Sequence, residues 1–241
     1  MMFSSVVSVY AKGPQQWSDI SKDILSKELG AMNERFSRML NYTVNVTDES
    51  FATYTASIYH EKFSGYFKRD RENFHSYLGS VHTIQNNECR VAVDSIKKMI
   101  LISDPVDYLD QVLKASDYIS LLKVCSKMRV SHADNKTTYR LDFVSGYPMA
   151  AYELTINKDS LPEKIIIYYN KEVKGTNENV SAKPRMEIYF ENWATKPVTS
   201  KSDFSIDKYL IKQGDKYALK PAYSAQYKLL DERVLTRNNK K

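Results

Sequence analysis

The stretch from Phe51 to Ser103 limits what this 241-residue chain can fold into more than any other part of the sequence. β-Branched and aromatic residues recur there in short runs, and glycine, asparagine and serine interrupt the runs at turn-like positions. The gaps between runs are too short for crossover helices, so neighbouring strands must run antiparallel. The stretch therefore predicts an antiparallel meander, with the rest of the chain as its cover.

The first of these runs predicts a strand with one buried face. From Phe51 onward, apolar or small side chains alternate with polar ones, which is the period of two expected of a half-buried strand. The predicted buried positions are Ala52, Tyr54, Ala56 and Ile58. Further strands are predicted at 65–69, 73–77, 80–84, 89–93 and 98–102.

Two amphipathic helices are predicted on either side of the meander. Apolar residues at helical spacing occupy residues 15–40, and Gly30 is expected to kink or break this helix. Asp104 and Pro105 are typical of an N-cap and a first helical position, and an apolar stripe follows from Tyr108 to Leu122. Because strands precede and follow it, this second helix is expected to lie across the concave side of a curved sheet.

The second half of the chain returns to strand patterns. Strands are predicted at 127–132, 137–144, 150–156, 164–169 and 185–193, with a hairpin turn at 145–148. Residues 164–169 are apolar on both faces, so this strand should be central and covered on both sides. In the strand at 185–193, Met186, Ile188 and Phe190 share one face. The last forty residues show weak periodicity and predict only short helix or strand segments.

The N-terminus is open to two interpretations. Residues 1–11 are an apolar run as long as a secretory h-region and end on a small residue, but they lack the basic segment of a complete signal peptide. They are either a truncated signal peptide or a first β-strand. Residues 12–241 are expected to form a single domain with a C-terminal extension. Beyond this run, no apolar stretch approaches the 18 residues that indicate a membrane span.

Composition and charge favour a β-rich binding protein over a nucleic-acid-binding one. The net charge of +6 is spread among acidic residues, whereas a nucleic-acid footprint requires clustering on one face; a weak attraction to anionic lipid headgroups stays open. Eighteen tyrosines fit a broad pleated surface. Cys89 and Cys125 are expected to be buried thiols, with a disulfide as the less favoured alternative.

No stretch of the sequence is a catalytic motif. The four histidines, His60, His75, His82 and His132, lie in or beside predicted strands without the close spacing of a zinc site. Turn and capping roles account for Asp94 and Asp104, which could otherwise be imagined as paired carboxylates. We therefore expect a protein that is not an enzyme and that needs neither a metal nor a cofactor.

The order of elements resembles the periplasmic outer-membrane lipoprotein carrier (LolA-like) family. Local similarities lie at 65–69, 73–74, 83–86, 91–94 and at the Ser103-Asp104-Pro105 helix start. The resemblance implies an α+β fold, mainly antiparallel: an unclosed half-barrel of about 10–11 strands with helices covering the concave face. In the family, an arginine after the second strand stands before a proline and helps to hold the lid. Arg69 is the candidate here, although Asp70 follows it.

The resemblance also implies a function. It is that of a non-catalytic carrier in the periplasm, secreted across the inner membrane of a Gram-negative bacterium, which holds the acyl chains of a lipid or lipoprotein on the concave face. The candidate lining residues are Tyr54, Ala56, Ile58, Phe74, Ile100, Ile102, Tyr108 and Val112. A fully packed core would contain the same residues, so the alternative stays open: an interaction or structural component of a cell-envelope or secretion assembly, with a filled cavity and an envelope protein as partner.

Overall fold

A computed structural model describes residues 16–106, 118–171, 173–174, 181–214 and 216–233, with the backbone alone at 118–119, 173–174 and 181–182. Its main feature is a thirteen-stranded sheet with the strand order β1-β8-β9-β10-β11-β14-β2-β3-β4-β5-β6-β7-β17. Every pairing in this sheet is antiparallel except that of β17 with β7.

The bounds of these strands are β1 (Ser18–Asp19), β2 (Asn41–Phe51), β3 (Glu61–Asp70), β4 (Asn73–Leu78), β5 (Val81–Gln85), β6 (Arg90–Asp94), β7 (Met99–Ser103), β8 (Cys125–Ala133), β9 (Lys136–Phe143), β10 (Met149–Ile156), β11 (Pro162–Tyr169), β14 (Arg185–Ala194) and β17 (Lys228–Asp231). Two small sheets pair β12 (Val173–Lys174) with β13 (Ser181–Ala182) and β15 (Leu210–Gln213) with β16 (Lys216–Leu219). The helices are α1 (Lys22–Ser37), α2 (Tyr118–Lys123) and α3 (Pro221–Ser224), with 3₁₀ turns η1 (Lys201–Phe204) and η2 (Ile206–Lys208).

The predicted fold class is confirmed: the sheet is an unclosed, mainly antiparallel half-barrel, and β1 and β17 are its two edges within the described residues. It has thirteen strands rather than ten or eleven because both edges are short segments without a strand pattern in the sequence. β11 lies between β10 and β14, in the interior of the sheet as predicted. No helix in the described ranges is long and apolar enough to span a membrane.

Strand register divides the main sheet into two faces. Directly paired residues point to the same side, so Val46, Phe190, Phe67 and Leu154 lie on the side that carries α1, which we call the inner face. The opposite side is the outer face. Both faces are covered over part of their area, and by different segments of the chain.

Helix α1 covers the inner face of β8 to β11, β14 and β2. Ser21 caps it by accepting a hydrogen bond from the Ile24 amide at 3.4 Å. Its buried side chains, Leu25, Leu29, Met32 and Phe36, follow the spacing of one helical face. The expected break at Gly30 is wrong, since α1 is continuous there. Gly30 lies on the exposed side of the helix, and a Cβ atom at this position would meet no neighbour within 4 Å, so no close packing requires glycine here.

The strand predicted from Phe51 onward is also wrong. β2 ends at Phe51, and residues 52–60 form a loop before β3. The loop is fixed by distant residues: the Tyr54 hydroxyl donates to the Tyr169 carbonyl at 2.5 Å, and the Arg185 guanidinium donates to the carbonyls of Tyr54 and Ala56. These long-range bonds satisfy the backbone without a neighbouring strand.

The C-terminal segment covers part of the outer face. Residues 201–231, which we call the outer cover, pack Ile206, Tyr209 and Leu210 against the apolar outer sides of β5, β6 and β7. Lys68 on β3 pairs with Asp203 at 2.7 Å, and Lys212 pairs with Glu88 at 2.8 Å, which fixes the cover at two points. Both cysteines are free, as expected; Cys89 is buried and Cys125 half-buried.

Candidate ligand-binding site on the inner face

The first part of the candidate site is the apolar surface beneath α1. Leu25, Leu29 and Met32 of α1 pack together with Leu121 and Leu122 of α2 against side chains of the strands β9 and β10. The strand residues of this cluster are Tyr139, Leu141, Phe143, Tyr152, Leu154 and Ile156. In the described residues, this section of the inner face is therefore filled by side chains of α1 and α2.

An aromatic cluster lies where α1 ends. The Phe36 ring meets Trp193 edge-on with centroids 5.7 Å apart, and Tyr42 lies 5.6 Å from the same indole. The Trp193 Nε1 group donates to the Pro162 carbonyl at 2.9 Å, which fixes the ring. Rigid aromatic walls of this kind are typical of small-molecule sites.

A bulge in β14 directs Trp193 into this cluster. Strict alternation would place Trp193 and Phe190 on opposite faces, but the register with β2 shifts between Glu191 and Ala194, and Asn192 has a φ of 55°. Trp193 and Phe190 therefore both belong to the inner-face cluster. The sequence shows Asn192 but gives no sign of the register shift.

A cavity of about 880 Å³ opens beside the aromatic cluster, at the end of the half-barrel where α1 terminates. Its apolar wall includes Met39, Leu161, Phe190 and Trp193. Charged side chains also line it, among them Arg35, Lys136, Asp159 and Lys164. A lining that combines apolar and charged side chains suits a ligand that has an apolar body and a polar end.

The inner face of β4 and β5 is more polar and equally buried. Ser76, Thr83 and Gln85 are all buried there. The Gln85 Nε2 group donates to the carbonyls of Val106 and Glu72 at 2.7 and 3.2 Å, and its Oε1 accepts from the Val106 amide at 3.1 Å. The backbone at Val106 therefore lies against the inner face shortly after β7. Most of the helix predicted from Tyr108 to Leu122 lies outside the described residues, which contain only its last part as α2.

Arg69, the lid-holding candidate, lies on the inner face between Tyr42 of β2 and Phe74 of β4. Its Nε group donates to the Arg71 carbonyl at 2.7 Å. Its Nη1 atom is buried and has no hydrogen-bond partner among the described residues. The family's role for this arginine stays a prediction here.

The predicted lining residues do not share one face. Phe74 is buried on the inner face, with its ring 5.9 Å from that of Phe67. The register aligns Phe74 with Gln85, Arg90 and Ser103 in turn, so Ile100 and Ile102 point to the outer face. Their expected place on the concave face is wrong: both are completely buried under the outer cover.

The remaining lining candidates lie elsewhere. Tyr54, Ala56 and Ile58 belong to the loop at 52–60, and Ile58 is 81% exposed, so the strand face on which they were predicted does not exist. Tyr108 and Val112 lie outside the described residues. The structure instead brings Met39, Gln85 and Trp193 to the site. Only the apolar character of Met39 and Trp193 could have indicated this, since their positions depend on a helix end and a bulge.

Two titratable groups of the inner face have shifted pKa values. Burial and a hydrogen bond with Glu28 raise the pKa of the Tyr139 hydroxyl, and burial raises the pKa of Asp48, helped by the nearby charge of Glu61. Both shifts favour neutral groups on an apolar surface. No group of three or more His, Cys, Asp or Glu residues that could hold a metal occurs in the described part of the chain.

No family model and no curated protein matches the sequence. Several solved structures match the chain. An uncharacterised conserved protein from Thermus thermophilus matches with a TM-score of 0.39 and 12% identity, over 71% of this chain and 89% of that one. The lipoprotein LppX of Mycobacterium tuberculosis matches with a TM-score of 0.41 and 10% identity, over 74% of this chain and 99% of that one.

A LolA superfamily protein from Nitrosomonas europaea matches with a TM-score of 0.32 and 8% identity, over 74% of this chain and 98% of that one.

Proposed function

We propose that this protein is a non-catalytic binding protein that holds the acyl chains of a lipid or lipoprotein on the inner face of its half-barrel. The observation that carries the proposal is the cavity of about 880 Å³ at the end of α1, because its apolar lining residues belong to the inner-face core and charged side chains lie beside them. An acyl chain would enter past Met39 and Trp193 with its polar end among Arg35, Lys136 and Lys164.

Burial of apolar surface supplies the binding energy in this proposal. Each CH₂ group transferred from water contributes about 0.8 kcal/mol, so a chain needs no polar recognition to bind. Helix α1 covers the adjoining part of the inner face through Leu25, Leu29, Met32 and Phe36, and an acyl chain longer than the cavity would extend onto this part. Helix and ligand therefore compete, and partial displacement of α1 would open and close the site.

The test is ligand detection in protein expressed in a bacterial periplasm. Native mass spectrometry should show co-purified lipid, and a fluorescent fatty acid should bind the delipidated protein. Met39→Glu places a charge in the apolar wall and should weaken binding at least tenfold. Val198→Glu is the control, since Val198 is 98% exposed. Ligand-free spectra together with no fatty-acid uptake would refute the proposal.

The proposed compartment is the periplasm, and the apolar run at residues 1–11 supports it. N-terminal sequencing of exported protein should begin at Lys12. An intact Met1 terminus on protein found in the cytosol would count against export.

A second candidate function is that of an interaction or structural component of an envelope assembly. The observation that favours it is the packing of α1, whose Leu25 is completely buried against the sheet, because a filled inner face leaves the surface as the functional part. Absence of fatty-acid uptake, combined with specific capture of a purified envelope protein, would support this alternative.

A further inference from the structure

Two histidines of neighbouring strands meet on the outer face, beneath the outer cover. His75 on β4 and His82 on β5 occupy diagonal positions, since His75 pairs with Ile84 and His82 with Tyr77. Their Nε2 atoms lie 2.5 Å apart, and their ring centroids 4.7 Å apart. The two rings therefore direct the same nitrogen at one point.

The hydroxyl group of Tyr66 is the third polar group of this cluster. The Tyr66 hydroxyl of β3 lies 3.0 Å from the His75 Nε2 atom, so this nitrogen faces both Tyr66 and His82. A ring nitrogen carries either one proton or one lone pair and can therefore satisfy only one of these partners well. A cation placed between the three groups would accept a lone pair from each.

The other nitrogen of the His82 ring has a hydrogen-bond partner that fixes the orientation of the ring. Its Nδ1 atom lies 2.5 Å from the Tyr209 hydroxyl, which comes from the outer cover. Metal-binding histidines usually have their second nitrogen fixed by such a partner, which sets the tautomer and aims the free nitrogen at the metal. Tyr209 would take this role here.

A cavity of about 340 Å³ adjoins the cluster and is bordered by Tyr66, His82, Ser80, Lys208 and Tyr209. It offers a path for an ion and space for water molecules to complete its coordination. The cavity is separate from the inner-face site, because register places His75 and His82 on the other side of the sheet from Phe74 and Gln85.

We propose that His75, His82 and Tyr66 bind a divalent first-row transition metal, Cu²⁺ or Zn²⁺, with water in the remaining positions. Two imidazoles and a phenol oxygen are a borderline nitrogen and oxygen donor set, which suits these ions better than Mg²⁺ or Ca²⁺. Metal–nitrogen bonds of about 2.0–2.1 Å place tetrahedral ligand nitrogens about 3.3 Å apart. Binding therefore requires the two rings to separate by about 1 Å.

Isothermal titration of the full chain with CuCl₂ and ZnCl₂ tests the proposal. We expect one ion per chain, with Cu²⁺ bound more tightly than Zn²⁺. His75→Gln and His82→Gln should each weaken binding more than about 100-fold, and Tyr209→Phe about 10- to 100-fold as an outer partner. His132→Gln is the matched control, because His132 lies on β8 and contacts Thr137.

Electron paramagnetic resonance of the Cu²⁺-loaded wild-type protein gives a readout that needs no variant. The spectrum should show two imidazole nitrogens bound to the copper. Affinity that is equal in the wild type and in folded His75→Gln or His82→Gln protein would overturn the proposal. A wild-type spectrum without two imidazole nitrogens would overturn it as well.

Discussion

The Gln85 side chain binds both backbone groups of Val106: its Nε2 donates to the Val106 carbonyl at 2.7 Å, and its Oε1 accepts from the Val106 amide at 3.1 Å. The same Nε2 group also donates to the Glu72 carbonyl. One buried amide thus joins the β3–β4 turn to the segment that follows β7. Because an amide both donates and accepts, few other side chains could make this set of bonds.

Replacement of Gln85 by glutamate should therefore be costly. The change keeps the shape but removes both donors, so the Val106 and Glu72 carbonyls would face a buried carboxylate. We expect a loss of at least about 1–3 kcal/mol in the free energy of unfolding, and faster hydrogen exchange at the Val106 amide. Urea denaturation and exchange mass spectrometry measure these effects. Gln213→Glu, on the exposed end of β15, is the control, and an equal response of the two variants would contradict this role of Gln85.

Truncation of Leu29 to alanine tests α1 as a lid. Leu29 is buried against the sheet, so Leu29→Ala should lower the free energy of unfolding by about 2–5 kcal/mol. If helix and ligand compete, the weakened helix should also increase the affinity for a fluorescent fatty acid. Ile24→Ala is the control within the same helix, because Ile24 is 53% exposed. A destabilised Leu29→Ala protein with lower fatty-acid affinity would show that α1 supports the site instead of competing for it.

Aspartate substitutions at Ile102 and Ile58 test the reassignment of these two residues. Ile102 is fully buried under the outer cover, so an unpaired carboxylate there should prevent folding or reduce stability by several kcal/mol. Ile58 lies in the loop at 52–60 and is largely exposed, so Ile58→Asp should change stability by no more than about 0.5 kcal/mol. Circular dichroism and thermal unfolding distinguish the two; a strongly destabilised Ile58→Asp protein would favour the strand predicted from the sequence.

Glu187 on β14 should make stability depend on acid pH. Burial alone raises the pKa of Glu187, but hydrogen bonds from Lys164 and Tyr189 and the charges of Lys164 and Arg185 outweigh it, so the pKa lies below its usual 4.5. A carboxylate with a depressed pKa stabilises the protein above the unfolded-state pKa, and this contribution is lost as pH falls through the folded-state value. Stability should therefore decrease below about pH 5.

The Glu187→Gln variant should be less stable than the wild type at pH 7 and should show a flatter acid dependence. Urea denaturation between pH 7 and pH 3 measures both properties. Tyr189→Phe removes one of the hydrogen bonds and should produce a smaller change in the same direction. Parallel pH profiles of Glu187→Gln and the wild type would exclude a contribution from this carboxylate.

The strands β3 to β7 could be predicted from the sequence because each has a local period of two between turn residues. The loop at 52–60 has the same period and is nevertheless not a strand. Its conformation depends on Arg185 and Tyr169, which are distant in sequence and leave no local signal. Alternation shows which residues share a face, but it does not distinguish the two faces of a sheet.

This ambiguity explains the error at Ile100 and Ile102. Because α1 covers one side of the sheet and the outer cover the other, apolar residues are buried on both sides. For a related reason the sequence does not indicate the contact between His75 and His82. The two residues are seven positions apart, and only the β4–β5 register brings them together.

β17 pairs with β7 in parallel, from Lys228 beside Met99 to Asp231 beside Ile102. During synthesis, β7 leaves the ribosome long before β17, so the early meander has an unpaired edge and an uncovered apolar outer surface for most of translation. Such edges recruit other chains and attract chaperones. The nascent protein should therefore depend on a holding factor until residues 201–231 have emerged, and translation arrest before that point should yield aggregation-prone chains.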